Sequence, residues 1–310
     1  MKKFIKILLL NILVLVVLFF ILEGISLVAY TYNDYISDKD DPDHSLKKFI
    51  KVALPAQFKL KYTNNNNVYG KYKYFNLSDF RPASIVADAT KKPIVLLGCS
   101  YTWGDYIEYE NIFSSVLSRK TNRTVYNLGL SGGSLLEMLY ILRNNDALKR
   151  LAPDRKDVEY VIYTYIGDHR YRLYFNFRPK SPHFRVSDHG QHLKYIHDNP
   201  FLYSLLLDKI KSHYVYKCNV SYKLQRLFIK ETYREVKKKF PNAKFVILIY
   251  YDYGDEDWEE LKNDGIIVLN VYDLVQFKIN EDKDYQVQDG HPNGKAWNTI
   301  VPPLVEELDL

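Results

Sequence analysis

Five short apolar runs, Ile94–Gly98, Val125–Gly129, Tyr160–Gly167, Phe245–Tyr251 and Ile266–Val271, restrict the fold of this chain more than any other feature. They are largely apolar rather than alternating, which is how a strand reads when both of its faces are buried in a parallel sheet covered by helices. Helical periodicity separates them near Glu110–Arg119, Ser134–Leu151 and Trp258–Lys262, and a last helix is expected over Gly294–Glu307. Alternation of this kind predicts the α/β class, with a five-stranded parallel sheet, right-handed crossovers and helices on both faces. The 310 residues, 47% hydrophobic and 26% charged, suffice for one large core.

The layer order expected of such a chain is a flavodoxin-like three-layer sandwich. Ahead of it the composition changes. After Lys2, Lys3 and Lys6, the stretch from Ile7 to Leu22 is apolar except for Asn11, and Gly24 to Ala29 is again mostly apolar. A helix needs ~20 residues to cross the hydrocarbon core, so a span ending near Glu23 to Tyr30 is expected. A cleaved signal peptide would have a shorter apolar region and a clear small-x-small site, which favours an uncleaved anchor. Three lysines precede the span and Asp34, Asp38, Asp40 and Asp41 follow it, an asymmetry that predicts a cytoplasmic amino terminus and an extracytoplasmic remainder. The expected organisation is a cytoplasmic stub and transmembrane helix over 1–32, a stalk and lead-in segment over 33–90, and the main domain over 91–310 with a helical insertion at about 170–241.

Several function classes are disfavoured. A formal net charge of +6 is mild, and Lys237, Lys238 and Lys239 read as a solvated helix face rather than a nucleic-acid footprint. Two cysteines, Cys99 and Cys218, make neither a disulfide scaffold nor a metal pattern, and Cys99 reads as a small packed residue at a strand end. His183, His189, His192 and His197 in the insertion lack the spacing of metal ligands. No metal or organic cofactor is expected.

Chemistry is concentrated at two distant places. The run PIVLLGCSYTWGD, from Pro93 to Asp105, puts Ser100 in the turn after an apolar strand, where backbone N–H groups favour negative charge. Gln288-Asp289-Gly290-His291-Pro292-Asn293 stands just before the last helix, and supplies a base to take a serine proton and an acid to fix the tautomer of that base. Asn127-Leu-Gly-Leu-Ser-Gly132 ends the second apolar run and Gly167-Asp168-His169 the third, at the strand ends flanking the first.

These four blocks, in this order, resemble the SGNH (GDSL-like) hydrolase family from about Lys92 to the carboxyl terminus, leaving the long insertion unmatched. Gly98-Cys-Ser100 stands where that family has Gly-Asp-Ser. The resemblance implies the SGNH hydrolase fold, with Ser100 as nucleophile, His291 as general base, Asp289 as its orienting acid, and the N–H groups of Ser100 and Gly132 as oxyanion donors. The third block departs from the family. Asp168 stands where an asparagine donor is expected, and an ionised carboxylate has no proton to give. Either burial keeps it neutral, or His169 or Arg172 supplies the positive end, or the chemistry is compromised; the structural alternative is an ion pair of Asp168 with Arg172 beneath the site. His169, Arg172 and Tyr101 are also candidates for substrate contact.

The expected activity is that of a membrane-anchored serine esterase or O-acyltransferase acting outside the cytoplasmic membrane on an acylated small molecule or glycan, through an acyl-serine intermediate. The tyrosines, 28 in all, include Tyr171 and Tyr174, with Phe175 and Phe177, directly after the third block, where flat rings suit sugar faces or simply pack the insertion. Two other readings remain open at this level: a non-catalytic module of the same fold that binds glycan or assists envelope assembly, and a lipid esterase or thioesterase.

Overall fold

In the computed structural model, which describes residues 90–152, 157–173, 222–253 and 258–310, Phe80, Asp88, the backbone of 183–187 and 192–196, and helical positions between 11 and 21, the five apolar runs form one parallel sheet. Its strands are β1 (Ile94–Gly98), β2 (Val125–Gly129), β3 (Tyr160–Ile166), β6 (Lys244–Tyr251) and β7 (Ile267–Asn270), in the spatial order β2-β1-β3-β6-β7. The register sets Ile94 beside Val125 and Tyr160, and Tyr160 beside Lys244. From β1 the chain steps outward to β2 and then returns past β1 to β3. That reversal opens a crevice at the carboxyl end of β1, where ligands bind in sheets of this kind.

Successive side chains on a strand point to opposite faces, and the core divides accordingly. Val95 and Leu97 of β1, with Tyr163, Tyr165, Phe245 and Ile247, meet the layer made by α3 (Leu135–Arg143) and α6 (Tyr222–Lys239). Ile94 and Leu96, with Ile162, Val246 and Leu248, meet the layer made by α2 (Phe113–Thr121) and α9 (Gly294–Leu308). In that second layer the fully buried Trp297 stacks on Phe113 with ring centroids 4.5 Å apart. The remaining helices are α1 (Ser100–Trp103), α4 (Asn145–Leu151), α5 (Asp168–Arg172), α7 (Glu259–Asn263) and α8 (Val271–Val275).

Two expectations are corrected. The helix over 222–239 belongs to the sandwich: Phe228, Ile229 and Val236 are buried against α3, and Arg143 pairs with both Glu231 and Glu235. It is the crossover from β3 to β6, so an insertion reaching to 241 is too long. The segment between also holds an antiparallel hairpin, β4 (His183–Ser187) with β5 (His192–Ile196), rather than helix alone. Its strands mix basic and apolar residues and are too short to stand out by composition. His183 and His192 lie at opposite ends of that ladder, while His189 and His197 fall outside the described residues.

The chain divides into two compact units, Met1–Gly70 with Asp198–Cys218, and Lys71–His197 with Asn219–Leu310. The sheet lies in the second. Among the described residues no helix is long and apolar enough to cross a membrane; most of the stretch read as anchor and stalk falls outside them.

Candidate active site

The first wall of the site is the turn from β1 into α1. A Cβ on Gly98 would stand 2.1 Å from Thr102 Oγ1, so glycine alone fits where the strand hands over to the helix. Cys99 is extended, Ser100 opens the helix, and Gly104, left-handed at φ +87°, closes it by donating its N–H to Ser100 O at 2.8 Å. Asn127, buried in the middle of β2, clamps this turn from the side. Its Nδ2 donates to Thr102 O at 2.8 Å and to Ser114 Oγ at 3.2 Å, and its Oδ1 accepts the Gly129 N–H at 3.0 Å. Cys99 is sealed in the core and burial pushes its thiol up, which disfavours a reactive thiolate at this position.

The second wall arrives from nearly two hundred residues away. The loop before α9 is closed by Val287 N–H donating to His291 O at 2.8 Å and Gly290 N–H to Val287 O at 3.0 Å. Asn293 fastens its base, donating through Nδ2 to Asp284 O at 3.0 Å and Gln286 O at 3.2 Å while Oδ1 caps α9 at Ala296 N. Gly290 takes the left-handed φ of +88° that lets Asp289 and His291 face the same way.

These walls bring Ser100 Oγ to 2.8 Å from His291 Nε2. On the other side of the ring, Nδ1 is 2.9 Å from Asp289 Oδ2. The carboxylate lies off the direction of the N–H, so this is a close contact rather than an aligned hydrogen bond. Asp289 also accepts the His291 backbone N–H at 3.2 Å, and with its side chain 40% exposed it is partly screened by solvent. Ser100 is nearly buried, at 5% exposed.

Tyr101 completes the support of the histidine. Its ring lies 4.9 Å from the imidazole, and its hydroxyl donates to Gly290 O at 3.3 Å. Burial keeps that hydroxyl protonated, with further upward pressure from Cys99, Asp168 and Asp289. The residue thus positions the base; its contacts are with the loop rather than with open solvent.

The turn after β2 carries Gly132, left-handed at φ +68°. Leu130 N–H donates to Gly98 O at 3.0 Å, Gly133 N–H to Leu130 O at 2.7 Å, and Ser131 Oγ to Asp105 Oδ2 at 2.7 Å, which ties this turn to the one bearing Ser100. Buried Arg172 reaches it from α5, donating to Gly133 O at 2.8 Å. Arg172 therefore acts through the turn, as a positioning residue, rather than on a substrate.

The end of β3 differs from what its sequence predicts. Asp168 accepts a hydrogen bond from Tyr253 Oη at 2.6 Å, and among the described residues no ion pair joins it to Arg172. An acceptor in this role adds no donor to an oxyanion. His169 is fully buried instead of facing substrate. It shares a hydrogen bond with the Tyr163 hydroxyl, its ring stacks on that of Tyr163, and burial together with Arg172 holds its pKa well below the ordinary histidine value. Two residues that sequence reasoning passed over, Tyr106 and Tyr253, stand exposed beside the site; among so many tyrosines neither carries a distinguishing signal.

No protein-family model and no curated protein matches the chain. Among solved structures it is similar to a G-D-S-L-family protein from Desulfitobacterium hafniense DCB-2, at 14% identity over 70% of this chain and 99% of that one, TM-score 0.44. It is also similar to a member of the lipolytic protein G-D-S-L family from Veillonella parvula DSM 2008, at 16% identity over 70% and 97%, TM-score 0.40. A third is an acetyl xylan esterase from the rumen bacterium Butyrivibrio proteoclasticus, at 10% identity over 70% of this chain and 63% of that chain, TM-score 0.39. What this chain can do chemically rests on its own side-chain geometry, and the structures it is similar to include proteins of the G-D-S-L family that its four sequence blocks resemble.

Proposed function

We propose that this chain is a serine esterase of the SGNH type, held at a membrane by its amino-terminal segment, that removes or transfers an acyl group, acetyl foremost, on an extracytoplasmic glycan. The single observation that carries the reading is the 2.8 Å contact of Ser100 Oγ with His291 Nε2, backed by Asp289 at 2.9 Å from Nδ1. Geometry of this kind lets the imidazole take the serine proton as Oγ attacks an ester carbonyl, while Asp289 stabilises the imidazolium that forms. The tetrahedral oxyanion is received by the N–H groups of Ser100 and Gly132, each such donor being worth ~3 kcal/mol in the transition state. Collapse breaks the carbon–oxygen bond to the alcohol, which leaves with the proton from His291. Water, or a second sugar hydroxyl in the transfer reaction, then gives its proton to His291 and releases the acyl group from Ser100.

The membrane part of the reading is supported by the apolar run from Ile7 to Leu22 and by exposed apolar side chains at Leu13, Leu15 and Ile21. The glycan part follows from an external location. Labelling with a fluorophosphonate and turnover of p-nitrophenyl acetate test the chemistry: wild type is labelled on Ser100 and active, and Ser100→Ala is neither. Equal behaviour of the two proteins would refute the esterase, and polysaccharide binding that survives Ser100→Ala without any acyl-enzyme would point to a non-catalytic module.

A further inference from the structure

In the unit that holds the sheet, three large hydrophobic side chains among the described residues are exposed, Tyr106, Tyr253 and Tyr272; the first stands beside the His291 ring and the second at the end of β3. Tyr106 is 75% exposed and stands edge-on to the His291 ring with centroids 6.0 Å apart. Its backbone is left-handed at φ +62°, a conformation that disfavours a bulky side chain and that persists only where the surroundings impose it. Here the left-handed Gly104 precedes it and Asp105 is tied to Ser131. A strained tyrosine that buries almost nothing does little for folding; it is held out for something to touch.

Tyr253, 50% exposed, lies across the end of β3. Its ring occupies the space that a Cβ on Gly167 would need, at 2.6 Å, and its hydroxyl holds Asp168. Between the two runs an unbroken row of rings. His291 is 4.9 Å from Tyr101, Tyr101 is 6.1 Å from Tyr251, and Tyr251 is 6.0 Å from Tyr253. Its exposed members are at the two ends, and the catalytic imidazole is within it. Exposed flat rings offer faces to the C–H side of a pyranose, and a carboxylate is a strong acceptor for sugar hydroxyls.

We propose that Tyr106 and Tyr253, with the Asp168 carboxylate that Tyr253 holds, form the subsites for sugar rings on either side of the acylated unit, so that the site receives a glycan strand rather than a lipid or a small acyl ester. The proposal rests on the esterase reading and assigns Asp168 to recognition instead of the oxyanion.

The experiment compares kcat/KM for partially O-acetylated xylopentaose and cellopentaose with that for vinyl acetate, which carries the same acyl group and no ring. Wild type is expected to prefer at least one of the oligosaccharides. Tyr106→Gly and Tyr253→Ala should each lower that preference about tenfold, and Asp168→Asn about threefold. Tyr106→Gly should do so with a melting temperature unchanged or raised, because glycine relieves the left-handed strain, so lost selectivity cannot be put down to misfolding. Wild type that turns over vinyl acetate yet favours neither oligosaccharide, or that gains steadily with acyl-chain length, overturns the proposal. So do variants that lose both activities in proportion. Absence of vinyl acetate turnover and of fluorophosphonate labelling in wild type refutes the esterase reading itself, and with it this one.

Discussion

At the end of β1 the chain turns through Gly98 into a four-residue helix and leaves Ser100 Oγ 2.8 Å from an imidazole. At the end of β3, the next strand in the sheet, it turns through Gly167 into a five-residue helix and sends His169 and Arg172 inward. The local patterns are alike: apolar strand, glycine, polar residues, short helix. What differs is the partner that arrives from elsewhere. The loop over 284–293 meets Ser100 and Tyr101 just after β1, whereas the side chains after β3 are taken by Tyr163 and by the Gly133 carbonyl. What a polar residue at a strand end can do is set by what the rest of the chain brings to it.

The largest expected effect tests the first of these edges. Ser100→Ala or His291→Ala should lower kcat for p-nitrophenyl acetate by about 10⁵-fold, and the double variant should be hardly worse than either alone, since the two act as one unit. His169→Gln, at the other edge, should keep most of the activity per folded molecule. If the His169 and His291 variants were equally inactive in properly folded protein, the distinction between the edges would collapse.

Asp289→Asn comes next. Its carboxylate is partly solvated and misaligned with the imidazole N–H, and Tyr101 holds the same loop from the other side, so a loss nearer 10²-fold is expected than the ~10⁴ seen where the acid is buried and aligned. A loss as large as that of Ser100→Ala would show that the carboxylate closes on the ring during the reaction. Arg172→Met should be milder again, about tenfold in kcat with stability lower by about 2 kcal/mol, because a charged donor is withdrawn from the Gly133 carbonyl. Labelling of Ser100 by fluorophosphonate should persist in it, which separates a displaced turn from a missing nucleophile.

How far sequence alone reaches follows from the same contrast. The strands are legible because Ile94–Leu97 or Phe245–Ile249 has to be buried on both faces whatever surrounds it. Ser100 and the Asp289–His291 turn are legible because each pairs a reactive residue type with a strand end or a helix start. The β3 edge is not. Whether His169 faces solvent or core depends on the phase of a helix of only five residues and on a tyrosine six positions earlier that happens to point to the same layer. The helix over 222–239 is legible as a helix, but its place as the crossover between β3 and β6 is not, because that depends on Phe228, Ile229 and Val236 meeting α3. Tyr106 is illegible for another reason: its left-handed backbone is imposed by a tie between Asp105 and Ser131 that spans two loops.

The smallest expected effect concerns pH and distinguishes the edges without touching catalysis. Inside the fold, burial and the Arg172 guanidinium hold the His169 pKa well below the value of about 6.5 that the unfolded chain would give it. Below about pH 6.5 the unfolded state therefore binds a proton that the folded state refuses, and stability falls as pH falls; above that value neither state is protonated and the contribution is complete. The melting temperature should accordingly decline between pH 7 and pH 5, and the decline should be shallower in His169→Gln, whose amide can still meet the Tyr163 hydroxyl but does not titrate. Other groups contribute to the slope in both proteins and cancel in the difference. Parallel curves for the two would mean that His169 is hydrated and protonated in the folded state, and that the β3 edge is as open to solvent as the one bearing Ser100.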